Sequence, residues 1–264
     1  MTRFPPTSRA RMGTSRLGGV AAALEPPGAP VGQLALPIAV APPARGDRPG
    51  PDRREPLPAV VHIAGWLTAA EQRALVAQFA KWALPPAGLR HPRVPSGHLM
   101  SVQSVCLGWH WQPYAYSRTA DDTDGAPVKP LPIAMADLAR RAVADAYGPG
   151  GAEATRYAPD AAIVNRYPPG AHLGLHRDGE EPSDAPVVTI SLGDRCVFRL
   201  AGVDRRTAPF TDIDMGSGDL LVFGGPNRRI YHGVPRVMSG TSPDGLGLPP
   251  GRLSITVRET GLDG

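Results

Sequence analysis

Cysteine is scarce in this chain: Cys106 and Cys196 are the only two among 264 residues. They have no CxxC spacing and no histidine partner at zinc distance, which excludes a zinc knuckle and a disulfide framework. Reduced core thiols in a cytoplasmic protein are the expectation. Long apolar runs are missing too. No stretch approaches the roughly 18 residues a membrane helix needs, and Leu17 to Leu24, with two glycines and no AxA exit, argues against a secretory leader. Aromatic residues make up 6% of the chain, yet Trp109, Trp111, Tyr114 and Tyr116 fall within eight positions. No internal repeat is visible.

Excess charge is confined to one end. Residues 56–264 carry 20 basic and 20 acidic side chains, whereas residues 1–55 carry 8 Arg against 4 acids and supply the whole net charge of +4. That leading segment is rich in Pro, Gly, Ala and Arg and has no sustained period, so a disordered tail over 1–55 is expected. It reads equally as an electrostatic tether to nucleic acid and as an arginine-rich leader without function. Residues 56–264 are enough for one domain around a single core.

What is present points to a metal. His176 and Asp178 form an HxD pair, and His232 follows 54 positions after the aspartate. Two imidazoles and one carboxylate on one face of a ferrous ion leave its other positions open for a co-substrate and oxygen. The pair alone is a weak signal. Its context is Asn165-Arg-Tyr-Pro-Pro-Gly-Ala-His-Leu-Gly-Leu-His-Arg-Asp178, where a Pro-Pro-Gly break precedes an alternation of Leu173 and Leu175 with His176 and Asp178. A strand over Leu173 to Asp178 would set both ligands on one face and the leucines on the other. A helix pairing His172 with His176 lacks the glutamate of a zinc-protease helix.

Arg252-Leu-Ser-Ile-Thr-Val-Arg258 alternates in the same way, with a polar face of Arg252, Ser254, Thr256 and Arg258. It reads either as an exposed strand with a solvated arginine edge or as a barrel strand whose guanidinium forks hold an anion. Asn165 and Tyr167, two apart, can face the same interior and donate hydrogen bonds to an oxyacid. A capping box at Thr68 to Glu71 opens a helix running to about Ala83, and a second helix is expected over Pro132 to Ala146. Short strands are expected near 60–63, 161–166, 173–178, 187–192, 196–201, 211–215, 219–223, 231–234 and 252–259. The fold class is mainly β with flanking helices, a double-sheet jelly roll.

The ordered set Asn165-Arg-Tyr-Pro-Pro-Gly-Ala, HxD, Val188-Thr-Ile-Ser-Leu-Gly193, Gly218-Asp-Leu-Leu-Val-Phe-Gly-Gly225, Tyr231-His-Gly233 and RxSxTxR closely resembles the AlkB family of nucleic-acid dealkylating dioxygenases, from about residue 58 to 262. The resemblance implies a double-stranded β-helix core at about 160–260 and a substrate-recognition lid at about 100–120. It implies Fe(II) on His176, Asp178 and His232, and 2-oxoglutarate held by Asn165, Tyr167, Arg252, Ser254 and Arg258, with Arg258 on the distal carboxylate and dioxygen as the second co-substrate. Ser254 stands where the family pattern has asparagine. By the same resemblance Trp109 stacks on the flipped base, and Tyr114 and Tyr116 are lid contacts on a lid two residues shorter than the family's. Glu180 would contact the exocyclic amine of the base and Arg206 the substrate near its phosphate.

The implied activity is oxidative demethylation of 1-methyladenine and 3-methylcytosine in single- or double-stranded DNA, with RNA as a further substrate, by a monomeric, cytoplasmic repair enzyme without membrane association. Two alternatives stay open: the same chemistry on a tRNA base, a protein or a small molecule, and a cupin-like barrel that binds a ligand without turnover.

Overall fold

The structure is a computed structural model and describes residues 52–263. Strands β1 (Arg53–Leu57) and β2 (Val60–Ile63) precede helix α1 (Ala69–Trp82); β3 (Gln103–Leu107) and the hairpin β4 (His110–Gln112) and β5 (Ala115–Ser117) lead to helices α2 (Ile133–Tyr147) and α3 (Ala152–Arg156). The rest is strand: β6 (Ala161–Tyr167), β7 (Leu173–His176), β8 (Val187–Gly193), β9 (Arg195–Leu200), β10 (Thr211–Met215), β11 (Leu220–Phe223), β12 (His232–Met238) and β13 (Arg252–Arg258). A seven-stranded sheet runs β1-β2-β11-β8-β13-β6-β3 and a four-stranded sheet runs β10-β9-β12-β7. This is the expected jelly roll.

The period-2 pattern of β13 shows how the site is placed. Leu253, Ile255 and Val257 are fully buried in a core shared with Leu75, Val76 and Phe79 of α1 and with Ala139 and Val143 of α2. Arg252, Ser254, Thr256 and Arg258 therefore face the opposite way, toward the second sheet. β13 is paired along its whole length, with β6 on one side (Arg252 opposite Tyr167, Ser254 opposite Asn165) and β8 on the other (Ser254 opposite Ser191, Thr256 opposite Thr189). The polar face is thus a central strip, and the solvated-edge reading of this strand does not hold. A second apolar cluster, including Phe198, Leu200, Met215, Phe223, Ile230 and Val234, fills the space around that strip.

The capping box is present: the Thr68 side chain accepts from the Glu71 amide, and the Glu71 side chain accepts from the Thr68 amide. Two expected boundaries shift. Most of the expected tail lies outside the described residues, but Arg53, Arg54 and Glu55 belong to β1, which pairs with β2. The region expected as a lid, 100–120, is not one excursion. Its first part is β3, hydrogen-bonded to β6 inside the large sheet, and only the β4–β5 hairpin projects beyond it.

Candidate metal centre

β7 and β12 lie side by side, with His176 directly opposite His232. The next pair in register is Leu173 with Val234, so three steps along β7 match two along β12. This is a β-bulge, and the extra residue reverses the alternation of one strand relative to the other. Leu173 consequently lines the same cavity as His176, together with Asn165, Tyr167, Thr189, Phe198, His232, Val234, Ser254, Thr256 and Arg258. The expectation that the leucines of this segment all turn away fails at Leu173 for that reason. β7 itself stops at His176, and Asp178 sits in the following loop, buried. A larger, open depression of about 600 Å³ beside Arg53, Tyr147 and Glu153 shares no residue with this cavity.

One ligand atom from each of His176, Asp178 and His232 lies within 4.8 Å of the other two. A single ion bonding at about 2.0–2.2 Å closes that triangle with small side-chain rotations. Both imidazoles are set up as ligands in the same way. Nδ1 of His176 lies 3.0 Å from the Gly174 carbonyl and Nδ1 of His232 lies 3.0 Å from the Ile230 carbonyl. A carbonyl only accepts, so each Nδ1 carries the proton and each Nε2 keeps its lone pair for a metal. His232 is buried and stacks on Phe198, 5.6 Å between centroids with 9° between planes. Burial first, and the neighbouring His176 second, push its pKa down to about 4.

The depressed His232 pKa makes a pH prediction for the metal-free protein. The unfolded chain takes up a proton near the ordinary value of 6.5, and the folded one holds out until about 4. Stability contributed by the neutral ring is complete above pH 6.5 and declines by about 1.4 kcal/mol per pH unit below it, until the folded pKa is reached. Thermal melts of the chelator-stripped protein between pH 7 and 4.5 should show this slope, and His232→Asn should flatten it.

Asp178 is held by Arg258, whose Nη2 donates to Oδ2 at 2.7 Å. Burial pushes this carboxyl up, but the Arg258 guanidinium, with both histidines, holds it well below the usual carboxylate range. Arg258 also donates through Nη1 to the Tyr116 hydroxyl at 2.8 Å and lies 3.2 Å from Glu181 Oε1.

Arg252 differs from Arg258. It is fully buried, its Nε donates to Ser191 Oγ at 3.1 Å, and its guanidinium carbon lies 5.0 Å from the Tyr167 ring centre. Both of its terminal nitrogens lack a hydrogen-bond partner. No carboxylate among the described residues pairs with it within 4.0 Å. A buried, unpartnered guanidinium fork is a costly feature that a bound carboxylate would relieve. The donor set suits Fe(II), and the orphaned fork suits an oxyacid beside it.

The other residues singled out in the sequence are spread around this centre. Ser254 and Tyr167 are buried, Asn165 is half-buried, and all three line the cavity; the Asn165 side-chain oxygen accepts from Ser104. Trp109 is half-buried and lies outside the cavity lining, with Nε1 donating to Asp160 at 3.2 Å and Arg118 packed 3.5 Å from its ring centre. Gly108 before it has φ +79°, and a Cβ there would meet the Asp160 carbonyl oxygen at 1.8 Å, so the close approach that seats Trp109 requires glycine. Tyr114 is 74% exposed at the hairpin tip, with φ 72°. Tyr116 is half-buried, and its hydroxyl is taken by Arg258 and Glu181. Glu180 is partly exposed in the loop that follows β7.

Arg206 is exposed, with its guanidinium carbon 5.0 Å from the ring centre of Tyr231, the residue before His232. Arg177, between the two ligands of the HxD pair, approaches the same ring at 5.5 Å. Two residues of consequence were not singled out in the sequence, Arg177 and Glu181, and Tyr231 entered only as part of the Tyr231-His-Gly233 motif. Arg228 is buried against Glu181 at 3.4 Å.

Comparisons with known proteins agree with this geometry. The chain matches the model of the 2OG-Fe(II) oxygenase superfamily over residues 59–258. It is 36% identical over 173 residues to the alpha-ketoglutarate-dependent dioxygenase AlkB of Escherichia coli (strain K12), which covers 63% of this chain and 75% of that protein. It is 31% identical over 219 residues to the DNA N(6)-methyladenine demethylase ALKBH1D of Arabidopsis thaliana, covering 76% of this chain and 49% of that protein. The solved structure of OsALKBH1 superposes with a TM-score of 0.68 at 30% identity, over 78% of this chain and 100% of that one. The chain spans about half the length of the Arabidopsis relatives it matches.

The chain belongs to the 2OG-Fe(II) oxygenase superfamily, whose members use Fe(II) and 2-oxoglutarate with dioxygen. Within that superfamily its place is in the AlkB family.

Proposed function

We propose that this chain is an Fe(II)- and 2-oxoglutarate-dependent oxidative demethylase of nucleic acid, acting on 1-methyladenine and 3-methylcytosine in DNA and, secondarily, RNA. The observation that carries the reading is Arg252, a buried guanidinium whose two terminal nitrogens have no partner, on the strand that also supplies Arg258 to the iron ligand Asp178. With iron, 2-oxoglutarate and dioxygen bound, the centre supplies oxidation of an N-methyl carbon to hydroxymethyl, which leaves as formaldehyde and restores the base.

The protein's part is binding and placement. His176, Asp178 and His232 hold the metal. Arg252 takes the distal carboxylate of 2-oxoglutarate, a reassignment from Arg258, whose two terminal nitrogens are occupied by Asp178, Tyr116 and Glu181. Asn165, Tyr167 and Ser254 complete the cradle from the cavity wall.

Substrate contacts are argued from chemistry at the mouth. Both bases proposed are cations when methylated at these ring nitrogens, and Glu180, partly exposed two residues from Asp178, offers them a carboxylate. N6-methyladenine is neutral and gains less from it. Trp109 serves as a stacking face for an extruded base, typically about 1–3 kcal/mol; Arg118 occupies one side of its ring. The β4–β5 hairpin acts as the lid, with Tyr114 at its tip. Tyr116 is a strut to Arg258 and not a substrate contact. Arg177 and Arg206 on Tyr231 lie beside two iron ligands, where they meet the phosphodiester backbone as unpaired cations.

The test is a panel of single-stranded oligonucleotides carrying 1-methyladenine, 3-methylcytosine, N6-methyladenine or no lesion. Succinate and formaldehyde should appear in a one-to-one ratio with the first two and exceed the unmodified control by at least tenfold. Succinate formation indifferent to every methylated base would reject the nucleic-acid reading.

A further inference from the structure

The iron ligand Asp178 is one end of a buried chain of charges. Arg258 joins it to Glu181, with Nη2 on Asp178 Oδ2 at 2.7 Å and Nη1 at 3.2 Å from Glu181 Oε1. Arg228 closes the other end at 3.4 Å from Glu181 Oε2, and its Nε is anchored on the Ala185 carbonyl at 2.7 Å. The Glu181 side chain is 0% exposed and that of Arg228 is 2% exposed. The Tyr116 hydroxyl donates to Glu181 and accepts from Arg258. Arg229, the remaining nearby cation, bonds the Glu181 carbonyl and is balanced by the exposed Asp184.

Within the buried chain two guanidinium groups face two carboxylates, so the formal charges cancel. A divalent ion must share Asp178 with Arg258, and at low effective dielectric the charge of everything behind that pair is felt. We infer that Glu181 is a positioning and charge-balancing residue for the metal site: acting through Arg258, it offsets the second cation, Arg228, and leaves Asp178 able to donate to the ion. The inference rests on the iron-site reading above. Without the Glu181 charge, Asp178 alone would answer two buried guanidinium groups, and a divalent ion would enter a net positive cluster.

Mn(II) binding to the full-length, chelator-stripped chain tests this by calorimetry, with no turnover involved. Glu181→Gln keeps the shape and removes the charge, and should weaken Mn(II) binding at least tenfold. Asp184→Asn, a control at an exposed and screened position, should stay within twofold of the parent. The double variant Glu181→Gln with Arg228→Met restores neutrality and should return to within threefold of the parent, which a merely structural role for Glu181 would not produce. The double variant also serves if Glu181→Gln alone fails to fold. The inference is overturned if Glu181→Gln binds Mn(II) within twofold of the parent, or if the double variant shows a loss of tenfold or more. A parent protein that does not bind Mn(II) at all would instead sink the iron-site reading.

Discussion

Arg252→Met should raise the KM for 2-oxoglutarate by roughly 30-fold to a few thousand-fold while raising the melting temperature of the ligand-free protein. The two effects have one cause. A guanidinium buried with two unpartnered nitrogens destabilises the empty fold, and methionine fills its volume without that cost. The same nitrogens are what a bound carboxylate would meet, and truncating one partner of a buried charge pair typically costs about 2–5 kcal/mol, or tenfold in affinity for each 1.4 kcal/mol. Arg258→Met should behave differently. It strips Asp178 and Glu181 of their shared cation, so metal binding and folding should suffer along with co-substrate affinity. Paired thermal melts and 2-oxoglutarate titrations of the two variants check this. A lower melting temperature for Arg252→Met with unchanged KM would return the carboxylate to another residue.

His176→Ala should abolish stoichiometric metal binding and lower turnover on the order of 10³-fold or more, since several kcal/mol of transition-state stabilisation goes with the ion. His176 is the ligand to remove because its side chain is 37% exposed, whereas His232 and Asp178 are buried and carry packing or ion-pair energy as well. An unchanged melting curve of the metal-free variant, with no metal bound in calorimetry, is the expected pair of results.

The sequence carried this much because the chemistry depends on regular strands. Arg252 to Arg258 alternates without a break over a strand paired on both sides, so its polar face could be assigned from spacing alone. The Thr68 capping box marked the start of α1 within a residue. Failures cluster where the period breaks. The bulge between β7 and β12 turned Leu173 into the cavity; Gly174 and Gly233 at that irregularity are the only hint of it in the residues, since a lone glycine inside a strand marks a bulge. β7 ends at His176, and while the resemblance singled out Glu180, the buried carboxylate that reaches Arg258 is its neighbour Glu181. Arg228 and Arg229 look alike in the chain, but one is buried on Glu181 and the other half-exposed on Asp184. Only three dimensions distinguish them. β3 was hidden in a stretch read as lid because its five residues precede the aromatic cluster directly and have no charge pattern of their own.

The most direct measurement is a crystal structure of the full chain grown without oxygen in the presence of Mn(II) and 2-oxoglutarate. The metal should sit on Nε2 of His176, a carboxylate oxygen of Asp178 and Nε2 of His232, with the distal carboxylate of 2-oxoglutarate across both terminal nitrogens of Arg252. A metal bound elsewhere, or a 2-oxoglutarate molecule that leaves the Arg252 fork empty, would contradict the account.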